Sequence, residues 1–174
     1  YSFMGREVEY VSELIEQHDP TRLLSSVLSD LSGIRIGHKG GCPNPNKAIM
    51  LLALHQAIRK GLITSNTIYA LDQLESLFFE MWNRYVTSHI EYKPLFEDTL
   101  YRLKAEPFWN LIMKNGNVDN NKLSTKQINK NDFTSRYDSI ILEYIHFVVL
   151  SSDAVAEVVS DILFLKKKER LTIS

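Results

Sequence analysis

The chain has 174 residues, of which 44% are hydrophobic and 24% charged, with a formal net charge of -1. That size and hydrophobic content suffice for one domain with a buried core, and the near-neutral charge excludes a global electrostatic case for binding nucleic acid or membrane, so any such case rests on local clusters. The single cysteine, Cys42, excludes an internal disulfide and a Cys-based zinc site and fits a reducing, cytoplasmic setting, and no apolar run reaches the roughly 18 residues that span a bilayer.

Val8, Val11, Leu14 and Ile15 recur at helical spacing, so Gly5 to Gln17 reads as an amphipathic helix. Asp19-Pro20-Thr21 breaks it and starts a second, whose face is Leu23, Leu24, Val27, Leu28 and Leu31 and which ends near Ser32-Gly33. Ile34 to Asn46 is a glycine-containing loop. Asn46 to Lys60 is the next helix, with Asn46 as its cap and Gly61 as its stop. Its centre, Ile49 to Leu54, is apolar on every side, which predicts the most buried helix of the fold.

Ile63, Ile68 and Tyr69 around Ser65-Asn66 suggest a short β excursion, and Asp72 then opens a helix through Leu74, Leu77, Phe78, Met81, Trp82 and Tyr85. His89 to Asp98 reads as loop. Thr99 to Leu103 and Phe108 to Ile112 read as two extended runs with a turn at Lys104 to Pro107. Lys114 to Asn131 is polar and Asn-rich, with a short helix after Ser124. Two helices close the chain, Tyr137 to Leu150 and Ser152 to about Lys168, the second ending basic as suits a helix C-terminus. The expected class is mainly α with a small β element, in one domain of about six to seven helices. Its parts are an N-terminal helical pair (1–32), a core (33–112) and C-terminal helices (113–174).

Charge is distributed unevenly. Between Leu31 and Leu71 there is no Asp or Glu, while Arg35, Lys39, Lys47, Arg59 and Lys60 fall there together with His38 and His55. A helix start carries partial positive charge and normally attracts acids, yet this one has Lys47. Free backbone N–H groups, glycines and cations at one helix start suit an anion such as phosphate, so Lys47 is expected to face a ligand. That expectation requires Asn46 and Lys47 to be open and not neutralised by carboxylates.

The signatures of several chemistries are absent. No histidine pair has metal-ligand spacing and no GxSxG elbow occurs. Glu91-Tyr92-Lys93 has the spacing of a nuclease E-x-K, but no Pro-Asp lies upstream, and nothing assembles around Glu97-Asp98. His146, within an apolar run, reads as a hydrogen-bonded core residue, and His55 as a packing or interhelix residue. No catalytic role, metal or cofactor is expected.

The run Asn44-Pro45-Asn46-Lys47-Ala48-Ile49-Met50-Leu51-Leu52-Ala53 resembles the helix start of the sulfur-binding-domain-like region found at the N-terminus of many bacterial HNH-type restriction endonucleases. In the same order, Gly61 to Tyr69, the Phe78 and Trp82 helix, and Leu100 to Leu111 are similar to later motifs of that region. The resemblance covers roughly Gly33 to Leu111. It implies a DNA-reading module with a shallow apolar pocket for a phosphorothioate sulfur and cations holding the neighbouring phosphates. Carried over by position, Asn46 and Lys47 fall at the family's basic pair, Asp98 and Thr99 at its pocket Tyr-Pro, and Arg102 in the segment completing the pocket wall. Ala48 replaces a family proline. Thr99 removes apolar lining, and Asp98 puts an acid where an anionic backbone would pass. No HNH pattern follows Leu150, so the resemblance implies a nuclease partner or a further C-terminal nuclease domain.

The expected DNA-binding residues are therefore Arg35, His38, Lys39, Asn46, Lys47, Asp98, Thr99 and Arg102. Two readings stand. The first is a double-stranded DNA-recognition module of a restriction or defence system, reading phosphorothioate-modified DNA. The second is a non-catalytic protein-interaction or regulatory subunit that keeps the fold without the DNA ligand.

Overall fold

The computed structural model describes residues 26–27, 29–31, 33–39, 42–86 and 92–152. The helix expected over Gly5 to Gln17 and the one beginning at Ser152 lie outside the described residues, apart from Ser152 itself. Residues 26–27 and 29–31 are helical, and Val27 and Leu31 are buried, as the second expected helix requires.

In chain order the named elements are β1 (His38–Lys39), β2 (Cys42–Pro43), α1 (Asn46–Arg59), β3 (Thr67–Ile68), α2 (Leu71–Tyr85), α3 (Phe96–Arg102), β4 (Trp109–Met113), α4 (Lys130–Arg136), β5 (Tyr137–Leu142) and α5 (Tyr144–Leu150). A single 3-10 turn, Leu103–Ala105, extends α3. The fold is mainly α with a small sheet, as composition and periodicity predict.

Helix α1 is the hub. Met50, Ala53, Leu54 and Ala57 have no exposed surface, and the whole run Ile49 to Leu54 is buried. Each fully buried large side chain contributes roughly 1.5–3 kcal/mol relative to exposure. The helix ends in a Schellman motif: Leu62 N–H donates to Ala57 O and Gly61 N–H to Ile58 O, and Gly61 takes the left-handed φ of 74° that the motif needs. Helix α2 packs on α1 through Leu74, Leu77, Phe78, Met81 and Trp82, one stripe at i, i+3, i+4, i+7 and i+8. His55 Nδ1 meets Leu150 O at 2.7 Å, tying α1 to the end of α5.

The three-stranded sheet has the order β3-β5-β4 and is antiparallel throughout. Ile140 pairs with Ile68 on one side and Leu111 on the other, and all three are fully buried. Opposite Ile112 and Met113, β5 carries one extra residue, Asp138, a bulge that bends β5.

Several expectations are corrected. Tyr137 to Leu142 is the central strand β5, and only Tyr144 to Leu150 is helical. Thr99 to Leu103 is the end of α3 plus the 3-10 turn, with Phe96, Thr99, Leu100 and Leu103 buried at helical spacing. No helix follows Ser124 until α4 begins at Lys130. The loop before α1 contains the β1–β2 hairpin. Asn46 does not cap α1: Pro45 holds the N-cap position, and the Asn44 side chain accepts the Asn46 N–H.

Candidate functional site

The start of α1 and the segment 33–37 meet at one carboxylate, that of Glu106. Its Oε2 lies 3.2 Å from Lys47 Nζ and accepts the Arg35 N–H at 3.2 Å. The Glu106 side chain is 5% exposed and that of Lys47 14%. The first turn of α1 contains no acid of its own. The acid that its dipole and its lysine lack is supplied from 59 positions further along the chain.

Burial pushes the Lys47 pKa down. Glu106 opposes that shift, and the guanidinium charges of Arg35 and Arg102 add to it, leaving Lys47 below the ordinary lysine value of 10.5. Two of the other expected cations, from two separate segments, thus act electrostatically on Lys47. Arg35 is exposed.

The remaining expected residues have mostly internal roles. Asn46 is 3% exposed. Its Nδ2 donates to Lys93 O at 3.0 Å and to Asn44 Oδ1 at 2.8 Å, and its Oδ1 accepts Leu95 N–H at 2.9 Å. A buried amide so matched is a structural tie, so the expectation of Asn46 as a DNA contact is corrected. Thr99 is also corrected: it is 3% exposed, and its hydroxyl donates to Leu95 O one turn back. Asp98 accepts Arg102 Nε at 3.1 Å and Ile128 N–H at 3.1 Å, so its acid faces protein donors. Arg102 further donates to Ser124 O at 3.0 Å and Lys126 O at 3.1 Å, pinning the long loop after β4. His38 and Lys39 form β1, and their side chains lie outside what the structure describes.

The expected requirement of an open Asn46 and an unpaired Lys47 is therefore not met. What remains of the expected cradle is an exposed Arg35, a Lys47 paired with Glu106, and an Arg102 bonded to Asp98, Ser124 O and Lys126 O. Sequence reading did not find Glu106. It lies just before Pro107 in a segment with no charge pattern linking it to Lys47, and only the return of the chain past α3 brings the two together.

Two other polar clusters stand apart from these residues. Lys104 Nζ bonds Asp119 Oδ2 at 3.0 Å, the Tyr137 hydroxyl donates to the same oxygen, and Asp119 Oδ1 accepts Asn121 N–H at 3.0 Å. Burial alone would raise the Asp119 pKa. The bonds from Tyr137, Asn121 and Lys104 outweigh it and hold the group below its ordinary value. Between α2, α3 and α4, Glu97 is pushed up, first by burial and then by its hydrogen bond with Glu75, while Lys130 lies 3.5 Å from Glu75. His146, as expected, is a core residue. Its Nε2 meets Asp30 Oδ2 at 2.8 Å and its ring stacks on Phe108.

Among the described residues no group of three or more His, Cys, Asp or Glu side chains could hold a metal ion. No helix of the described residues is long and apolar enough to cross a membrane. Neither a protein-family model nor a curated protein sequence matches the chain.

Proposed function

We propose that the chain is a DNA-recognition module of a bacterial restriction or defence system, contacting the sugar–phosphate backbone and reading phosphorothioate-modified duplex. The observation that supports this reading is the exposed Arg35, whose backbone N–H meets the Glu106 carboxylate that also holds Lys47 in the first turn of α1. The three cations Arg35, Lys47 and Arg102 outnumber the two carboxylates bonded to them, Glu106 and Asp98. Arg35, exposed beside the helix start, makes the first phosphate contact, and Lys47 contributes from behind it. Asn46, Asp98 and Thr99 hold the segments that carry these cations. The β1 hairpin, bearing His38 and Lys39, flanks the same helix start and adds to the contact surface. In this reading the chain supplies recognition and no chemistry. Cleavage belongs to a nuclease partner or a further domain, and the place of action is the cytoplasm.

The test is fluorescence anisotropy with a plain and a phosphorothioated duplex, titrated across salt concentrations. Affinity is expected to fall with a slope of about 0.9 per phosphate contact, and Arg35→Ala to flatten it by about one contact. Absence of binding to either duplex at about 50 mM salt, where electrostatic affinity is strong, overturns the reading.

One observation favours a second reading, a protein-interaction or regulatory subunit that keeps the fold without the ligand. Lys47 already has a carboxylate at 3.2 Å in a nearly closed setting. The same titration separates the two: the interaction subunit binds neither duplex at any salt concentration.

A further inference from the structure

Glu75, in the second turn of α2, and Glu97, in the first turn of α3, are hydrogen-bonded to each other through their carboxyl groups. An ionised carboxylate only accepts, so this bond exists only with a proton on one of the two. Glu75 Oε1 also lies 3.5 Å from Lys130 Nζ, at the start of α4. Three helices thus meet through two carboxyl groups and one ammonium. These residues border a cleft backed by the buried side chains of Phe96, Leu100 and Phe133. Its volume of about 30 Å³ admits water and is far too small for a substrate. From α2 the pair also faces Asp72. No further charge comes from α3, because Asp98 is turned to Arg102 and the Ile128 N–H.

We propose that Glu75 and Glu97 form a proton-operated latch between α2 and α3. One shared proton closes it, and loss of that proton leaves two carboxylates face to face and loosens the corner where α4 docks. Lys130 neutralises only one of those charges, and Asp72 adds another of the same sign at the rim, so the ionised pair favours separation. Burial and the shared bond hold the Glu97 carboxyl above its ordinary value of 4.5, and Lys130 opposes them. The latch therefore stabilises the fold below 4.5 and loses that contribution as pH rises through the folded value. The effect reaches beyond the pair. Helix α3 also carries Arg102, which holds the loop after β4 by Ser124 O and Lys126 O, and Lys130 opens α4 four residues further on. A change in the spacing of α2 and α3 is thus passed to the exposed end of that loop. The latch stands independently of the DNA reading.

The test is a pH titration of the full chain by NMR, following the glutamate carboxyl carbons and the backbone amides of α4. Glu97 is expected to titrate above 4.5, and the amides of Lys130 to Arg136 to shift with the same midpoint. Glu97→Gln gives Glu75 a permanent N–H donor in place of the proton, so the α4 transition at the Glu97 midpoint should vanish. Glu97 titrating at or below 4.5 overturns the latch. So does a Glu97 transition that the α4 amides do not follow, or an α4 transition that persists unchanged in Glu97→Gln. Should Glu97→Gln fail to fold, Lys130→Met decides. It removes the cation that favours the ionised pair, so the midpoint shared by Glu97 and α4 should rise further. A midpoint that stays in place refutes the latch.

Discussion

Two lysine–carboxylate pairs of similar length, each nearly closed to solvent, do different work in this molecule. Lys104–Asp119 is 3.0 Å long with side chains 8% and 4% exposed, and Lys47–Glu106 is 3.2 Å long with 14% and 5%. The difference lies in the neighbours. Asp119 receives the Tyr137 hydroxyl and the Asn121 N–H besides its lysine, and Lys104 lies 4.9 Å from the centre of the Tyr101 ring. Neutral donors and an aromatic face surround that pair and complete it. Lys47 instead shares its surroundings with Arg35 and Arg102, which repel it. The first pair is completed by its neighbours, and the second sits among like charges that oppose its lysine. Distance within a pair does not distinguish the two cases; the charges around it do.

The largest expected effect that separates them is Asp119→Ala. It strands a buried ammonium and two other donors, so it should cost about 3–5 kcal/mol, measured by urea denaturation. A loss below about 1 kcal/mol, the worth of an exposed pair, would remove the structural half of the comparison. Lys47→Met should cost less, about 3 kcal/mol, the lower end of the range for breaking a buried pair, because it strands the Glu106 carboxylate but leaves it the Arg35 N–H. A loss as large as that of Asp119→Ala would make the two pairs equivalent.

The smallest effect is in the pH profile of stability. The Asp119 pKa is depressed, so its contribution is complete above the ordinary value of 3.8 and is lost as pH falls through the folded pKa below it. Lys47 gives a slope of the same sign at alkaline pH. Its folded pKa lies below 10.5, so between the two values the unfolded chain holds more protons and stability rises with pH. Tyr137 is pushed up, first by burial and then by Asp119, so stability falls again as tyrosine in the unfolded chain ionises above 10. Urea midpoints across pH should show the alkaline rise in the unsubstituted protein and lose it in Lys47→Met. An identical profile in both would mean that Lys47 is not strained by its surroundings.

The parts of the fold that the sequence reveals are those set by local pattern. The apolar run Ile49 to Leu54 with Gly61 behind it marks α1, and the stripe from Leu74 to Trp82 marks α2. The errors fall where local pattern is ambiguous. Tyr137 to Leu142 is a central strand covered on both sides, so its apolar residues do not alternate cleanly and it merges with the α5 run. Thr99-Leu100-Tyr101 has strand-favouring residues, yet its helix is fixed by distant contacts, such as Asp98 accepting the Ile128 N–H. At the candidate site the cations Arg35 and Lys47 are legible as charges without nearby acids, and Arg102 enters only through the family resemblance. Glu106 and the internal use of Asn46 are not, because both depend on partners 47 or more positions away.

The side chain of Asn46 takes the place of a missing strand. Offering a donor to Lys93 O and an acceptor to Leu95 N–H, it presents to that segment what a neighbouring peptide unit would. The lever arm that begins at Leu95 and continues as α3 is thereby riveted to the base of α1. One amide side chain thus sets the spacing between the first turns of two helices that lie about fifty positions apart in the chain.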